Sequence, residues 1–232
     1  MKLNGRTHPC LKICTLFFHN QDLNTAPTLS FSKLGCSRGG RQLFQGIDCV
    51  LEAGRWLYVT GANGVGKTSL LRMVCGLAPI DSGEICWNGA PVHSQRDAYR
   101  HDLCYLGHLN ALQESMTVNE NMVFNAALGG NAPEPSQMDE VLTHFGVRGR
   151  GGQLVRHLSQ GQKRRVALSR LALSRARLWV LDEPFVAMDE SGVRMLADLV
   201  AAHLGKGGLA VLTSHQLVAI GAVPAQLLEL RA

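Results

Sequence analysis

Charge is scarce in this chain. Only 18% of its residues are Asp, Glu, Lys or Arg, and the net charge is a mild +5. The longest basic run is Lys163-Arg164-Arg165. A nucleic-acid-binding face needs a denser basic stripe, so this run reads as a solvated helix face and no nucleic-acid partner is expected. Long apolar runs are missing too. None reaches the roughly 18 residues a membrane-spanning helix needs, so contact with a membrane has to come through a partner. The cysteines, Cys10, Cys14, Cys36, Cys49, Cys75, Cys86 and Cys104, are odd in number and scattered. That excludes the disulfide framework of a small secreted domain and fits free thiols in a reduced compartment. His8, Cys10, Cys14 and His19 lie close together, but their spacing matches no common zinc pattern. Leu11–Phe18 is too short, is broken by Lys12, and lacks the small-residue cleavage site of a signal peptide.

What is present is an apolar content of 46% in 232 residues. That is enough for one α/β domain with a small inserted lobe. Residues 1–27 read as a loosely held N-terminal extension ending in Asn24-Thr25-Ala26-Pro27. Regular patterning starts at Leu29. Leu43–Leu51 and Trp56–Thr60 read as strands around the turn Glu52-Ala53-Gly54. Ser69–Cys75 reads as a helix stopped by Gly76. Glu84–Trp87 followed by Asn88-Gly89 is a strand with a hairpin turn. The stretch from about 109 to 157 has a different character. Two helical patterns, Thr117–Leu128 and Gln137–Phe145, flank a Gly/Pro-rich break. Further on come a helix over Gln160–Ser174, an apolar strand Leu178–Leu181, a helix Ser191–His203 and a second apolar strand Leu209–Thr213. Strands alternating with helices predict a largely parallel sheet covered on both faces.

Gly61-Ala62-Asn63-Gly64-Val65-Gly66-Lys67-Thr68-Ser69 contains G-x-x-x-x-G-K-[ST] between a buried strand and a helix. Glycines let successive N–H groups wrap a phosphate without Cβ clashes. Lys67 neutralises β- and γ-phosphates in such a loop, and the Thr68 hydroxyl is placed to ligate Mg²⁺. Asp182 ends an apolar strand, at the sheet edge where ligands of open α/β sheets bind. It reads as a Mg²⁺-holding group. Glu183, next to it, reads as the general base that polarises the attacking water. Upstream, Leu158-Ser159-Gln160-Gly161-Gln162 opens a helix. It can offer a hydroxyl, backbone N–H groups and a helix N-terminus to a second phosphate contact. Two phosphate-binding surfaces for one nucleotide are used together most simply in a dimer with ATP between the subunits.

The phosphate loop, the Ser-x-Gly-Gln loop, Leu181-Asp182-Glu183-Pro184, Ala187-Met188-Asp189 and His215 after an apolar strand occur in that order. The set resembles the ATP-binding subunit of ABC transporters over nearly everything from residue 29 onward. The resemblance implies an α/β P-loop NTPase fold, RecA-like, with a small antiparallel β subdomain and an inserted α-helical subdomain. Residues 28–232 would form that ABC ATPase domain, with the helical insert at about 109–157. It implies ATP and Mg²⁺ as cofactors and a homodimer in which Ser159, Gly161 and Gln162 face the nucleotide of the second subunit. Asp189 would lie in the loop connecting the two sites. His215 would touch the γ-phosphate and hold Glu183 and water in place. Integral-membrane subunits would be the other partners, with the chain peripheral at the cytoplasmic face of the inner membrane. The groove near His108–Met116 would receive a partner's cytoplasmic helix.

The chain departs from the usual pattern at two positions. His108 stands where most such subunits carry glutamine. Arg38, in Ser37-Arg38-Gly39-Gly40, stands where an aromatic residue usually stacks on adenine; its guanidinium plane can do the same. Within the family the likeness narrows to the haem-exporter branch serving cytochrome c maturation. Leu178–Val193, Tyr105-Leu106-Gly107-His108 and Leu212-Thr213-Ser214-His215-Gln216 carry it. No direct haem site is recognisable, since His101, His108 and His144 lack a Cys-x-x-Cys-His context. The alternative is an ABC subunit for another substrate, because these motifs specify ATP and not cargo. A chromosome-associated relative is excluded by the absence of a heptad run between phosphate loop and signature.

Overall fold

The computed structural model describes residues 26–215 and 218–231. The cysteine–histidine cluster near the N-terminus, the apolar run Leu11–Phe18 and Gln216 lie outside the described residues. So does the expected extension, apart from Ala26 and Pro27. The strands are β1 (Thr28–Arg38), β2 (Arg41–Glu52), β3 (Trp56–Thr60), β4 (Ser82–Trp87), β5 (Ala90–Pro91), β6 (Leu103–Leu106), β7 (Leu178–Asp182), β8 (Leu209–Thr213) and β9 (Gln226–Glu229). The helices are α1 (Lys67–Val74), α2 (Arg96–His101), α3 (Val118–Leu128), α4 (Pro135–His144), α5 (Gln160–Leu173) and α6 (Glu190–Gly205).

Two sheets form. One is antiparallel in the order β2-β1-β4-β5; the other has the order β6-β7-β8-β3-β9. Every pairing in the second is parallel. Asn88 and Gly89, both at positive φ, close the tight β4–β5 connection, as their residue types predict.

The central strands of the parallel sheet are apolar at every position before their last because both faces are covered. Alternate residues go to opposite cores. Trp56, Tyr58, Trp179, Leu181, Ala210 and Leu212 pack with α3, α4, α5 and α6. Leu57, Val59, Leu178, Val180, Leu209 and Val211 pack with α1 and the antiparallel sheet, through Leu70, Leu71, Phe31, Phe44 and Trp87. α3 and α4 fall within the stretch of different character from 109 to 157, and an isolated antiparallel bridge, Thr117 to Leu154, ties that stretch together. Thr117 also caps α3 in a reciprocal pair with Glu120.

The register of the parallel sheet places the site. Leu106 pairs with Leu181, Asp182 with Thr213, and Val59 with Thr213. The carboxyl ends of β3, β6, β7 and β8 are therefore level. Gly61, His108, Glu183 and His215 all leave the sheet on that one edge, where ligands of open parallel sheets bind.

One buried polar group serves the core and not the site. The His203 ring lies flat on Trp179, with centroids 3.9 Å apart and planes 6° apart. Its Nε2 lies 3.1 Å from the Leu209 carbonyl oxygen. Burial pushes its pKa down from 6.5 to about 4. The folded chain therefore keeps this ring neutral at pH values where the unfolded chain has already protonated it. Stability is expected to fall as pH drops from 6.5 towards about 4, by about 1.4 kcal/mol per unit from this group. Urea unfolding across that window checks this. His203→Phe keeps a ring against Trp179 and cannot titrate, so it should flatten the slope.

Candidate active site

Strand β3 runs into the phosphate loop, and α1 begins at Lys67 after Gly66, whose φ is 109°. No side chain caps this helix. The N–H groups of Lys67, Thr68 and Ser69 precede the first helical bond, from Leu70 N–H to the Gly66 carbonyl oxygen at 2.8 Å. An uncapped helix start following a glycine loop is a preformed anion cradle. Only glycine fits at its ends. A Cβ on Gly66 would meet the Phe44 ring at 3.0 Å, and one on Gly61 would meet the Leu230 carbonyl oxygen at 2.6 Å. Asn63, Gly64 and Thr68 are exposed on the loop. The Lys67 ammonium donates to the carbonyl oxygens of Gly61 at 2.8 Å and Ala62 at 3.1 Å, so it lies folded along the loop it belongs to.

At the ends of β7 and β8 four side chains converge. Thr213, fully buried, donates from its hydroxyl to Asp182 Oδ1 at 2.7 Å. The Thr213 hydroxyl oxygen in turn accepts the Glu183 backbone N–H at 3.0 Å. His215 Nε2 lies 2.9 Å from Glu183 Oε1. Tyr58 donates its hydroxyl to the Ser214 carbonyl oxygen at 2.9 Å, fixing the peptide that leads into His215. Glu183 itself has φ of 48°, an uncommon conformation for a residue with a Cβ. Asp182 is 3% exposed, and one of its oxygens is engaged by Thr213. The Asp182 carboxylate and the Thr68 hydroxyl are hard-oxygen donors of the kind that suits Mg²⁺.

Ser159 caps α5: its hydroxyl accepts from Gln162 N–H at 3.3 Å, and Gln162 Oε1 accepts from Ser159 N–H at 3.0 Å. The hydroxyl hydrogen is not used in that cap and stays available to an external acceptor. A Cβ on Gly161 would meet nothing within 4 Å, so this helix start faces open space. Asp189 caps α6, accepting from Gly192 N–H at 3.1 Å and from the Ser191 hydroxyl at 2.9 Å. Arg165 Nη2 lies 2.7 Å from its Oδ1. The Ser191 and Gly192 hydrogen bonds, with Arg165 behind them, hold the Asp189 carboxyl below the usual range.

One sequence expectation changes in detail. The basic run Lys163-Arg164-Arg165 is not a solvated face. Lys163 pairs with Glu114, Arg165 with Asp189, and Arg164 is buried. Consecutive helical residues point about 100° apart, so three in a row cannot share one face. Arg38 stands at the tip of the β1–β2 hairpin opposite Arg41, with its guanidinium 3.8 Å from Asp81. His108 lies exposed just beyond β6. Sequence reasoning missed Thr213, Tyr58 and Arg164 as site residues. A polar residue closing an otherwise apolar strand next to Asp182 was the available signal for Thr213.

The ABC transporter family model matches residues 44–186. The chain belongs to the ABC transporter family. It is 82% identical over 210 residues to "Cytochrome c biogenesis ATP-binding export protein CcmA" of Albidiferax ferrireducens, covering 90% of this chain and 100% of that one. Proteins of the same name from Dechloromonas aromatica and Escherichia coli K12 are 48% and 44% identical, covering 84% and 81% of this chain and 95% and 89% of theirs. Among solved structures, an ABC transporter ATP-binding protein from Pyrococcus furiosus aligns with a TM-score of 0.76 at 25% identity, over 88% of this chain and 97% of that one. An ABC transporter ATP-binding subunit aligns at 0.74 and 23% identity, over 82% of this chain and 80% of that one. The chain is thus an ABC transporter ATP-binding subunit with the P-loop NTPase fold of that family. Among the described residues, no helix of this ABC subunit is long and apolar enough to cross a membrane.

Thr213→Val tests the joint directly. It removes the acceptor of the Glu183 N–H and the donor to Asp182 at constant shape. A loss of about 1–3 kcal/mol is expected from the unsatisfied buried group, measurable by urea denaturation at pH 8.

Proposed function

We propose that this chain is the ATP-hydrolysing subunit of a membrane complex for cytochrome c biogenesis, acting in haem export or in release of a haem-loaded chaperone. One observation carries the reading: Asp182, Thr213, Glu183 and His215 are linked by polar contacts at the ends of β7 and β8, in a chain 82% identical to a cytochrome c biogenesis ATP-binding export protein across that protein's whole length.

The phosphates of ATP lie on the N–H groups of the loop from Gly61 through Gly64 and Gly66 to Ser69, with Asn63 at its exposed rim. On phosphate binding the Lys67 ammonium exchanges its two carbonyl acceptors for anionic oxygens, a stronger charge-assisted pairing. Thr68 and Asp182 would hold Mg²⁺, which would supply neutralising charge to the phosphates. Glu183 takes the proton of the attacking water, and His215 orients that carboxylate while reaching the γ-phosphate. His108 contacts water or phosphate from beyond β6, and Arg38 offers its guanidinium plane to adenine. Two copies dimerise head to tail, so that Ser159, Gly161 and Gln162 of one copy close over the nucleotide of the other, and Asp189 lies between the sites.

Closing on ATP and reopening after hydrolysis drives integral-membrane subunits from the cytoplasmic face of the inner membrane, with the chain peripheral. A partner helix docks beside His108–Met116. The exposed apolar side chain of Leu109 supports that surface. An ABC subunit for another cargo is the second reading, because the ATP site does not specify what the membrane partner carries.

Glu183→Gln is expected to lower ATP hydrolysis by about 100-fold or more while ATP still binds. In cells lacking the gene, a haem stain for covalent c-type cytochromes should be lost, return with wild type, and stay absent with Glu183→Gln. Normal staining in the deleted cells would retain the ATPase and redirect it to another cargo.

A further inference from the structure

Arg164 sits in the first half of α5 and is only 6% exposed. Its Nη2 donates to the Glu183 carbonyl oxygen at 3.0 Å, and its Nη1 donates to Asn110 Oδ1 at 3.3 Å. Among the described residues no carboxylate lies within ion-pair distance of it. Its Nε is buried without an acceptor. A buried cation with neutral acceptors alone is costly, and packing by itself favours an apolar side chain in such a place.

Its contacts show what it does instead. Glu183 holds a left-handed backbone at φ 48°. A strained residue of that kind persists only where its surroundings over-determine it. The N–H of Glu183 is held from β8 by Thr213, and its carbonyl oxygen is held from α5 by Arg164. The peptide units on both sides are thus anchored, each to a different element. Asn110, the second acceptor, lies in the loop that follows β6 and carries His108.

We propose that Arg164 is a positioning residue of the hydrolysis site, registering the placement of α5 and of the loop after β6 onto the backbone of Glu183. This rests on Glu183 acting as the general base. It also ties the two sites of the dimer together. The start of α5, at Ser159 and Gly161, faces the nucleotide of the second copy, while Arg164 on the same helix holds the base for the nucleotide of its own copy. A shift of α5 on closure therefore reaches Glu183 directly.

The test measures steady-state ATP hydrolysis against ATP concentration for the full chain assembled with its membrane partner. Wild type, Arg164→Met, Arg164→Lys and Glu183→Gln are compared, with binding of a fluorescent ATP analogue and the thermal midpoint read on the same preparations. Arg164→Met should lower kcat by about 10- to 100-fold, as a small misplacement of a catalytic group does, with KM and analogue affinity within about 2-fold. Arg164→Lys, which keeps the charge and can reach one acceptor, should recover part of the rate. If Arg164→Met does not fold, Arg164→Lys carries the same kcat-against-KM comparison. With Glu183→Gln inactive, an Arg164→Met rate within about 2-fold of wild type overturns the proposal. So does a rate loss matched by an equal loss of analogue affinity. If Glu183→Gln still hydrolyses ATP, the assignment of the base falls and takes the proposal with it, an outcome distinct from the first.

Discussion

The hydroxyl of Thr213 joins the ends of two parallel strands, and the geometry of the site follows from it. One oxygen donates to Asp182 and accepts from the N–H of Glu183. A hydroxyl is the smallest group that can do both at once, and the β7–β8 register puts it directly across from Asp182. The carboxylate proposed to hold the cation and the one proposed to activate water belong to adjacent residues, and adjacent strand residues point to opposite faces. The turn to positive φ at Glu183 breaks that alternation and lets both serve one nucleotide. The strain is affordable because the peptide N–H has a fixed acceptor in a buried, rigid strand.

Helix starts do the rest, and they differ in a way that matches their roles. α1 has no side-chain cap, which leaves its N–H groups open to an anion. α5 and α6 are capped by their own Ser159 and Asp189. Serine and aspartate are not equivalent there. An aspartate at the cap of α5 would satisfy the same N–H groups but would place a negative charge against the triphosphate expected to approach it. Serine caps while remaining neutral, and keeps a donor in reserve. At α6 the charge is useful, since it answers Arg165 and fixes the loop after β7 to the helix that begins at Ser159.

Much of this was legible in the chain because its elements are long and strongly patterned. The strands Trp56–Thr60 and Leu209–Thr213 are apolar up to their closing threonines and bounded by turn residues, and the sequence marks both to the residue. The motifs gave the fold because each sits at a strand–helix junction, where the residue types alone fix the backbone's task. β6, β9 and α2 were not read. β6 spans four residues with only Leu106 buried, β9 is a mostly exposed edge strand, and α2 is a short helix. None has a period long enough to stand out from loop sequence. Thr213 and Arg164 were missed for another reason. Their partners are distant in sequence, and nothing local distinguishes an arginine that turns inward from the half-buried basic residues beside it. The residues read at Arg38 and His108 rest on position in the chain, and the geometry adds the ion pair of Arg38 with Asp81 and an exposed place beyond β6 for His108.

The choice of acceptors around Arg164 follows from electrostatics. A carboxylate would pair with a buried guanidinium far better than a carbonyl and an amide oxygen do. It would also add another negative group beside Asp182 and Glu183, at a sheet edge that must accept a polyanionic substrate. At short range in a low-dielectric site, that repulsion works against what a buried ion pair returns after desolvation. Neutral acceptors leave the positive charge of Arg164 uncancelled. The guanidinium can then lower the field of the two acids while fixing the peptide of one of them. Lysine has a point charge and no planar fork, so it cannot bridge the Glu183 carbonyl and Asn110 in the same way. Arginine is the side chain whose shape and permanent charge meet both demands at once.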